Sequence, residues 1–596
     1  MKNSIGRSVL LIAISASLVM PLLLSVVPAP TYAAIPPGGN LRVGLIATGP
    51  IMYIEGRGVQ SAGPAILMEN VMVLAHETFA QFGPDGNLIP LTIESWGVSE
   101  DGLAYTFTIR ENATWSDGTD VTTADAQLTY EIISAFPDID QWGIAGYIES
   151  LEEVDDKTFI VHLKERFSPF LHYWLMLEPY PAHYWESVEA FNATGATEET
   201  ETIGVGPFKI VGFSPGASVI RMVPNEYYWG GESYISDITI TLLSPDANVP
   251  ALMAAGEFDL IEVPSSSQVA SILGIQNVDV TLSSTKHYGG WQMARWAGVL
   301  VNCLKAPLDN VDFRRAIAYG LNRDEIVELT AGGYGTVASY GFLPSDYTEW
   351  LAPDLPTYER DVAKAKELIE GLGFVEGADG FYEYANGTSL TLEVMARGGT
   401  ETLIATVMAQ RLKDIGLNVL TRTLSSTVYV NNYNYGYYDL GVIMTNHPLS
   451  LDFVLNKFYY PDVTPIGETT FYRGWDRWAN ARFDELMELS RGSISESDLH
   501  EYYNEAQEIL ADNLPFLSVY YANHIWAHRA DTFEGWDLLF EDYTWPMKEI
   551  VLDIHLPEEP EEPEPQPAPV PIELYAAVGV SAVIAVAAVI YALTRR

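Results

Sequence analysis

His524 and His528 are the one pair among ten histidines that stands four residues apart. On a helix this spacing places both imidazoles on one face, where they could bind zinc. The surrounding segment, SVYYANHIWAHRA, is instead typical of a strand that ends in a loop. We therefore expect no metal site at this pair.

Other signatures of chemistry are also missing from the sequence. It contains neither His-Glu-x-x-His nor a Walker loop, and its one cysteine, Cys303, excludes a cysteine pair for a metal and an intrachain disulfide. Acidic residues are abundant, but a glycosidase site depends on the distance between two carboxyl groups, which the sequence does not set. We expect no catalytic residue, metal or cofactor.

The chain carries a large acidic surplus, with 79 acidic against 32 basic residues and a net charge of −47. This charge repels nucleic acid and anionic lipid surfaces, so neither is expected as a partner. It keeps an exported protein soluble and fits a salty or an acidic habitat. A length of 596 residues is too great for one core, so two or three domains are expected.

Both ends of the chain have the composition of membrane-targeting segments. Lys2 and Arg7 precede an apolar stretch and then small residues, which predicts a signal peptide over 1–34 or an uncleaved anchor. Residues 574–593 are uncharged, apolar and long enough to span a bilayer as a helix, and two arginines follow them. The Pro/Glu-rich segment 557–571 predicts an extended stalk. We expect a single-pass protein of the cell membrane with its body on the extracellular face.

Strand and helix patterns alternate between these ends. In EDGLAYTFTIR the apolar residues recur with a period of two, which predicts a half-buried strand, and a helix is expected from about Thr123. In NVDFRRAIAYGLNRDEIVELT two helices meet at Gly320, and Asn322 with Glu325 predicts a capping box. A later helix has four residues on one apolar face, namely Ile404, Met408, Leu412 and Ile415. Mixed α/β layers are the predicted fold class.

Eight segments, taken in chain order, resemble those of one family. They are LTIESWGVSEDGLAYTFTIRENATWSDGT, IGVGPFKIVGF, VPNEYYWGG, LMAAGEFDLIEV, NVDFRRAIAYGLNRDEIV, YERDVAKAKELIEGLGF, AQRLKDIGLNV and YYNEAQEILADNLPFLSVYY. Over residues 40–553 the chain is similar to the extracellular solute-binding proteins of family 5. That family comprises the oligopeptide, dipeptide, nickel and oligosaccharide receptors of ABC importers.

The resemblance implies a two-lobed fold of the periplasmic-binding-protein type (type II) with an extra subdomain. Lobe I would comprise 40–75, 200–290 and 522–556, the extra subdomain 76–199, and lobe II 291–521. The chain would cross between the lobes near Tyr288 to Trp296 and near Phe516 to Ala522. Ligand would lie in the cleft between the lobes, and closure about these crossings would bury it.

The resemblance also implies which residues line the cleft. Aromatic rings there stack on sugar faces or hold apolar side chains, and ordinary core packing is the alternative for each of them. The ligand-binding residues so predicted are Tyr53, Tyr288, Trp291, Thr445, Asn446, His447, Tyr472 and Trp475.

One of these segments, MTNHPLS, departs from the family's peptide receptors. They place an aspartate there, whose carboxylate pairs with the ammonium group of the peptide. Here the polar residues are Asn446 and His447, and the next acid is Asp452. An uncharged ligand such as an oligosaccharide is therefore favoured over a free peptide N-terminus.

We expect a receptor that captures an oligosaccharide or oligopeptide and delivers it to ABC permease and ATPase subunits. It would perform no catalysis. A cell-surface hydrolase and a tethered sensor or adhesion module are the alternatives. Anchoring by a C-terminal helix in place of a lipid is similar to the arrangement in archaeal binding proteins.

Overall fold

Strands and helices alternate along the chain in the computed structural model. The structure describes residues 39–46, 73–82, 88–136, 139–140, 143–194, 203–212, 218–231, 233–244, 246–282, 293–343, 350–448, 451–459, 462–470, 474–536 and 554. The predicted signal peptide, stalk and membrane span lie outside these residues. Within them, no helix combines the length and the hydropathy that a membrane crossing requires.

The strands confirm the predicted alternation of elements. In chain order they are β1 (Asn40–Ile46), β2 (Ala80–Phe82), β3 (Leu88–Pro90), β4 (Ile93–Val98), β5 (Ala104–Ile109), β6 (Ile148–Glu153), β7 (Thr158–Leu163), β8 (Phe208–Gly212), β9 (Val219–Pro224), β10 (Asp237–Leu243), β11 (Leu260–Glu262), β12 (Val278–Leu282), β13 (Met293–Val301), β14 (Gly335–Val337), β15 (Val375–Glu376), β16 (Tyr382–Glu383), β17 (Thr391–Ala396), β18 (Asn418–Thr423), β19 (Leu440–Pro448), β20 (Phe516–Ala522) and β21 (Ile525–Arg529).

The helices are concentrated in the second half of the chain, as the sequence predicts. They are α1 (Thr123–Ala135), α2 (Phe170–Leu175), α3 (Ala182–Trp185), α4 (Val188–Thr194), α5 (Val249–Ala255), α6 (Val269–Ile272), α7 (Val311–Gly320), α8 (Arg323–Ala331), α9 (Val362–Gly371), α10 (Gly399–Asp414), α11 (Ser426–Tyr435), α12 (Leu451–Asn456), α13 (Ala481–Gly492) and α14 (Glu496–Asn513).

One sheet has the order β12-β21-β11-β1-β10-β9-β8 among the described strands. Its central strand β1 runs parallel to both β10 and β11 and buries Leu41, Val43 and Leu45 completely. The opposite face of the sheet carries Ile261, which packs with Met253 of α5. Burial on both faces explains why β1 is an almost continuous apolar run.

A second sheet has the order β14-β20-β13-β19-β17-β18. Its long strands β13 and β19 pair antiparallel, and β13 also pairs antiparallel with β20. Helix α10 packs against this sheet through the four residues predicted to form its apolar face. Ile404, Met408, Leu412 and Ile415 are all completely buried. The prediction of one apolar face is therefore confirmed. A helix has about 3.6 residues per turn, so residues three or four apart lie on the same side.

Of the two hydrogen bonds in the capping box predicted for α8, one is present and the prediction of the other is wrong. The side chain of Asn322 accepts a hydrogen bond from the backbone N–H of Glu325 at 3.1 Å, as expected. The Glu325 carboxylate does not turn back to the cap. It binds the guanidinium group of Arg411 on α10, with two distances of 2.6 Å. A bidentate ion pair between helices replaces the local bond because both oxygens are satisfied at once.

Two connections of the chain join these two sheets. One joins β12 to β13 through residues 283–292, which lie outside the described part, and the other joins β20 to β21. Only Asn523 and His524 separate the last two strands. A separate antiparallel sheet, with the order β4-β5-β7-β6, lies within residues 93–163 and has its own aromatic core around Phe107, Phe159 and Trp174.

Asp125 holds three donors inside that smaller unit. Its carboxylate accepts the backbone N–H groups of Thr122 and Ala182, each at 2.7 Å, and Nε1 of Trp115 at 3.3 Å. Burial raises the pKa of this carboxyl group against the opposing effect of these donors. The residue therefore joins the start of α1 to the start of α3.

We predict that Asp125→Ala destabilises this unit by about 2–4 kcal/mol, because three buried or half-buried donors lose their acceptor. Amide hydrogen exchange should accelerate at Thr122 and Ala182. Gln127→Ala, on the same helix, is the matched control and should leave both amides protected. Unchanged protection in the Asp125 variant would show that water or another acceptor replaces the carboxylate.

Candidate functional site

A cavity of about 60 Å³ lies between the two main sheets. Strand β11 contributes its carboxyl end and the following loop, β20 contributes its carboxyl end, and β19 contributes Met444. Ligands of α/β proteins bind outside the carboxyl ends of strands, because loops of several strands converge there. The lining residues are Glu262, Val263, Pro264, Ser265, Ser266, Thr330, Ala331, Tyr334, Thr400, Met444, Tyr520, Ala522, Asn523, His524 and Ile525.

One wall of the cavity includes two buried polar residues that were not predicted as ligand-binding residues. Glu262 ends β11, is 3% exposed, and accepts the backbone N–H of Ile46 at 3.0 Å. His524 lies in the turn between β20 and β21 and is 2% exposed. The sequence did contain a signal, because Glu262 is an acid within the apolar run from Leu260 to Val263, all of which is buried.

The opposite wall is positioned by a buried carboxylate. Glu401, in the first turn of α10, accepts the backbone N–H of Met444 at 2.9 Å and that of Arg397 at 3.0 Å. The Arg397 guanidinium group also binds Glu401 and donates to the carbonyl of Met444 at 2.9 Å. An acid in the first turn is favourable at the positive end of the helix dipole. These bonds fix the end of β17, the start of α10 and Met444 relative to each other.

The structure describes the side chain of only one of the eight predicted ligand-binding residues, Trp475. Tyr53, Tyr288, Trp291 and Tyr472 lie outside the described residues. Thr445, Asn446 and His447 belong to β19, where they pair with Trp296, Arg295 and Ala294 of β13, and their side chains lie outside the described part. This backbone directly follows Met444, so the segment begins at the cavity wall.

Trp475 is described, and it does not line the cavity. Its half-buried ring lies 5.1 Å from the ring of Tyr433, and Nζ of Lys457 lies 5.4 Å from its centroid. Burial lowers the pKa of the Lys457 ammonium group to about 7. The structure therefore brings Trp475 together with a cation that titrates near neutral pH.

His524 and His528 do not form a helical pair. His524 lies in the turn, whereas His528 lies in β21 with its ring 4.8 Å from that of Trp536. Among the described residues, no group of three or more His, Cys, Asp or Glu side chains has the geometry to hold a metal ion.

Two sheets that meet at a cavity and are joined twice by the chain are typical of solute-binding proteins that close about a hinge. The chain belongs to family 5 of the bacterial extracellular solute-binding proteins, and residues 87–462 match the model of the family's middle region. Members of this family are substrate-binding receptors and not enzymes, which confirms the prediction of a non-catalytic protein.

Known relatives support the same fold. The oligopeptide-binding protein AppA of Bacillus subtilis is 24% identical over 454 residues, which cover 73% of this chain and 78% of the relative. A periplasmic oligopeptide-binding protein of an ABC transporter from Thermotoga maritima has a TM-score of 0.78 at 20% identity, over 88% of this chain and 100% of that one. A mannohexaose-bound structure from that organism has a TM-score of 0.72 at 20% identity, with the same coverage.

Beside Trp475, Asp476 makes stability depend on pH. The side chain is 2% exposed, and burial raises the pKa of its carboxyl group to about 8. The folded protein therefore holds this proton between about pH 4 and pH 8, whereas the unfolded chain releases it. The free energy of unfolding contributed by the protonated Asp476 carboxyl group is therefore lost as the pH rises from about 4 to about 8.

We predict that Asp476→Asn flattens this dependence, because the amide does not ionise. The variant should gain stability relative to the parent between about pH 5 and pH 8, by an amount on the order of a few kcal/mol. Thermal unfolding midpoints at both pH values measure it. Asp462→Asn, an exposed change nearby, is the control. A constant difference between variant and parent at the two pH values would contradict the prediction.

Proposed function

We propose that this protein is the receptor of an ABC importer, which captures an oligosaccharide or an oligopeptide between two lobes. Lobe I would contain 40–75, 200–290 and 522–556, lobe II 291–521, and the extra subdomain 76–199. The observation that carries the proposal is the cavity, because its walls come from both main sheets. A group of the ligand that enters this cavity of about 60 Å³ would contact both lobes at once.

Such contact explains how binding would be reported to a transporter. A ligand shifts a hinge equilibrium only by its difference in affinity for the open and closed states. A molecule that touches Glu262 on one wall and the Met444 segment on the other gains its full contacts only after closure. The permease would then recognise the closed receptor.

An oligosaccharide is the ligand class that the β19 segment favours. Between Met444 and Pro448 the segment contains Thr445, Asn446 and His447 and no carboxylate. The next acid, Asp452, is 3% exposed and already binds Arg491 at 2.9 Å. It is therefore engaged within the fold. The mannohexaose complex of the Thermotoga maritima relative supports this choice.

Glu262 favours an oligopeptide as the second candidate. It is a buried carboxylate at the cavity, where it could pair with the ammonium group of a peptide. The Bacillus subtilis relative is named as an oligopeptide-binding protein. The ammonium group would then bind to the lobe opposite the one that the family's peptide receptors use.

Membrane tethering is part of the proposal. The apolar segment 574–593 would anchor the protein, and the stalk 557–571 would hold its body outside the membrane and within reach of the importer. A tether raises the effective concentration of the receptor at its transporter. The same arrangement supports an archaeal origin.

Thermal unfolding against mannohexaose and a tripeptide separates the two ligand classes. We expect mannohexaose to raise the unfolding midpoint, since a ligand at about 100 times its Kd adds about 2.7 kcal/mol. Asn446→Asp should add stabilisation by the tripeptide and retain that by mannohexaose, because it restores the missing carboxylate. Asn431→Asp, an equal charge change at an exposed position of α11, should do neither.

Glu262→Gln tests the second candidate. If the tripeptide stabilises the parent protein, and the variant abolishes this effect but keeps any response to mannohexaose, Glu262 holds the ammonium group. Stabilisation by neither class would contradict the proposed ligands. Turnover of a bound ligand would favour the hydrolase alternative. Failure to co-purify with permease and ATPase subunits from the native membrane would favour a tethered sensor.

A further inference from the structure

The extra subdomain, residues 76–199, caps a helix in the half of the protein that contains the six-stranded sheet, which is here called the six-stranded half. The half that contains the seven-stranded sheet is called the seven-stranded half. The backbone N–H of Ser168 donates to the carbonyl of Arg491 at 2.7 Å, and its hydroxyl donates to the carbonyl of Ser490 at 2.8 Å. Both carbonyls belong to the last turn of α13, and that of Ser490 also accepts the backbone N–H of the C-cap residue Ser493 at 3.3 Å. A residue from a distant part of the chain therefore completes the end of this helix.

A buried charged network lies beside this cap. Nε of Arg491 lies 2.9 Å from Oδ1 of Asp452, and the two side chains are 12% and 3% exposed. The hydroxyl of Tyr173, on α2 of the subdomain, donates to Oδ2 of Asp452 at 2.8 Å. The guanidinium carbon also lies 5.9 Å from the ring centroid of Phe167. The ion pair belongs to one half, and the subdomain adds a charge-assisted hydrogen bond to it.

The same subdomain is tied to the seven-stranded half by another buried acid. Glu77 accepts the hydroxyl of Tyr228 and Nε1 of Trp229, both at 2.8 Å. The Arg110 guanidinium carbon lies 4.1 Å from the ring centroid of Trp229. Residues 228 and 229 follow β9, so these bonds hold the subdomain on the half that contains β1.

These two attachments have a mechanical consequence. Because the subdomain is held on the seven-stranded half, its contact with α13 spans the same two halves as the cavity does. Movement of the halves about the passages β12–β13 and β20–β21 must break or shift the contact. The chain thus has a second closure contact, separate from any bound ligand.

We propose that Ser168 and Tyr173, with Asp452, Ser490 and Arg491, form a closure latch that stabilises the closed receptor without touching the ligand. The proposal rests on the proposed function, since it assumes that the halves open and close. The latch sets ligand affinity through the open–closed equilibrium, because the apparent Kd rises as the closed fraction falls. The ion pair within one half is ready in both states, and the subdomain donors complete it on closure.

Distances between spin labels test the latch in the full chain, in detergent micelles. Labels at Glu257→Cys and Glu367→Cys lie on exposed positions of the two halves, and the buried Cys303 does not compete because burial raises the pKa of its thiol to about 12. Tyr173→Phe removes the hydroxyl and keeps the ring. We expect it to lower the closed population without ligand, and to raise any Kd for mannohexaose about tenfold.

Two further variants keep the test decisive. Ser168→Ala removes the hydroxyl donor to Ser490 and should also lower the closed population. It provides the test if the Tyr173 variant does not fold. Tyr184→Phe, on α3 of the same subdomain, is the matched control and should leave the distances unchanged. Identical distance distributions in the parent and both latch variants would overturn the proposal.

The distance measurements distinguish failure of the latch proposal from failure of the proposed ligand class. If mannohexaose leaves the distances unchanged but Tyr173→Phe shifts them, the latch stands and the oligosaccharide assignment falls. If mannohexaose shortens the distances and both latch variants behave like the parent, the ligand assignment stands and the latch falls.

Discussion

The short connection between β20 and β21 is the constraint on which the rest of the structure depends. Asn523 and His524 alone separate a strand of one main sheet from a strand of the other. The backbone N–H of Val263 donates to the carbonyl of Ile525 at 2.8 Å, so the end of β11 is bonded beside this connection. A two-residue link leaves little freedom, and the carboxyl ends of strands from both sheets must therefore meet at one place. The cavity lies at that place.

Buried carboxylates hold the parts of this acidic chain together. Glu77, Asp125, Glu401 and Asp452 are each 5% exposed or less, and each accepts hydrogen bonds from separate elements. A carboxylate offers several lone pairs, so one residue can satisfy donors from two or three elements. The same requirement makes each junction specific, since a buried acid that loses its donors is costly. Most of the acidic surplus is therefore separate from a small set of buried acids that organise the fold.

Local patterns of the sequence predicted much of the secondary structure. The apolar face of α10 and the cap at Asn322 depend on residues within one or two turns, and both were found as expected. The prediction for the Glu325 side chain was wrong because Arg411, 86 residues away, offers a bidentate bond. Glu262 was missed for a related reason. Its partner Ile46 is 216 residues distant, and no local pattern shows that the two strand ends adjoin. The contact between Tyr173 and Asp452 spans 279 residues and was equally beyond local reasoning.

Charge alone does not choose the ligand of this protein. A strongly negative field accelerates the encounter with cations, yet at physiological ionic strength it is screened beyond about 8 Å. Selection must therefore come from groups within hydrogen-bond reach of the bound molecule. One wall of the cavity offers Glu262, and the other leads into the uncharged segment from Thr445 to His447. In the proposed receptor, a ligand with many hydroxyl groups would suit both walls, whereas an ammonium group would find a charge partner only at the first. In the proposed receptor, this difference between the walls, and not the total charge, would determine which class of solute stabilises closure.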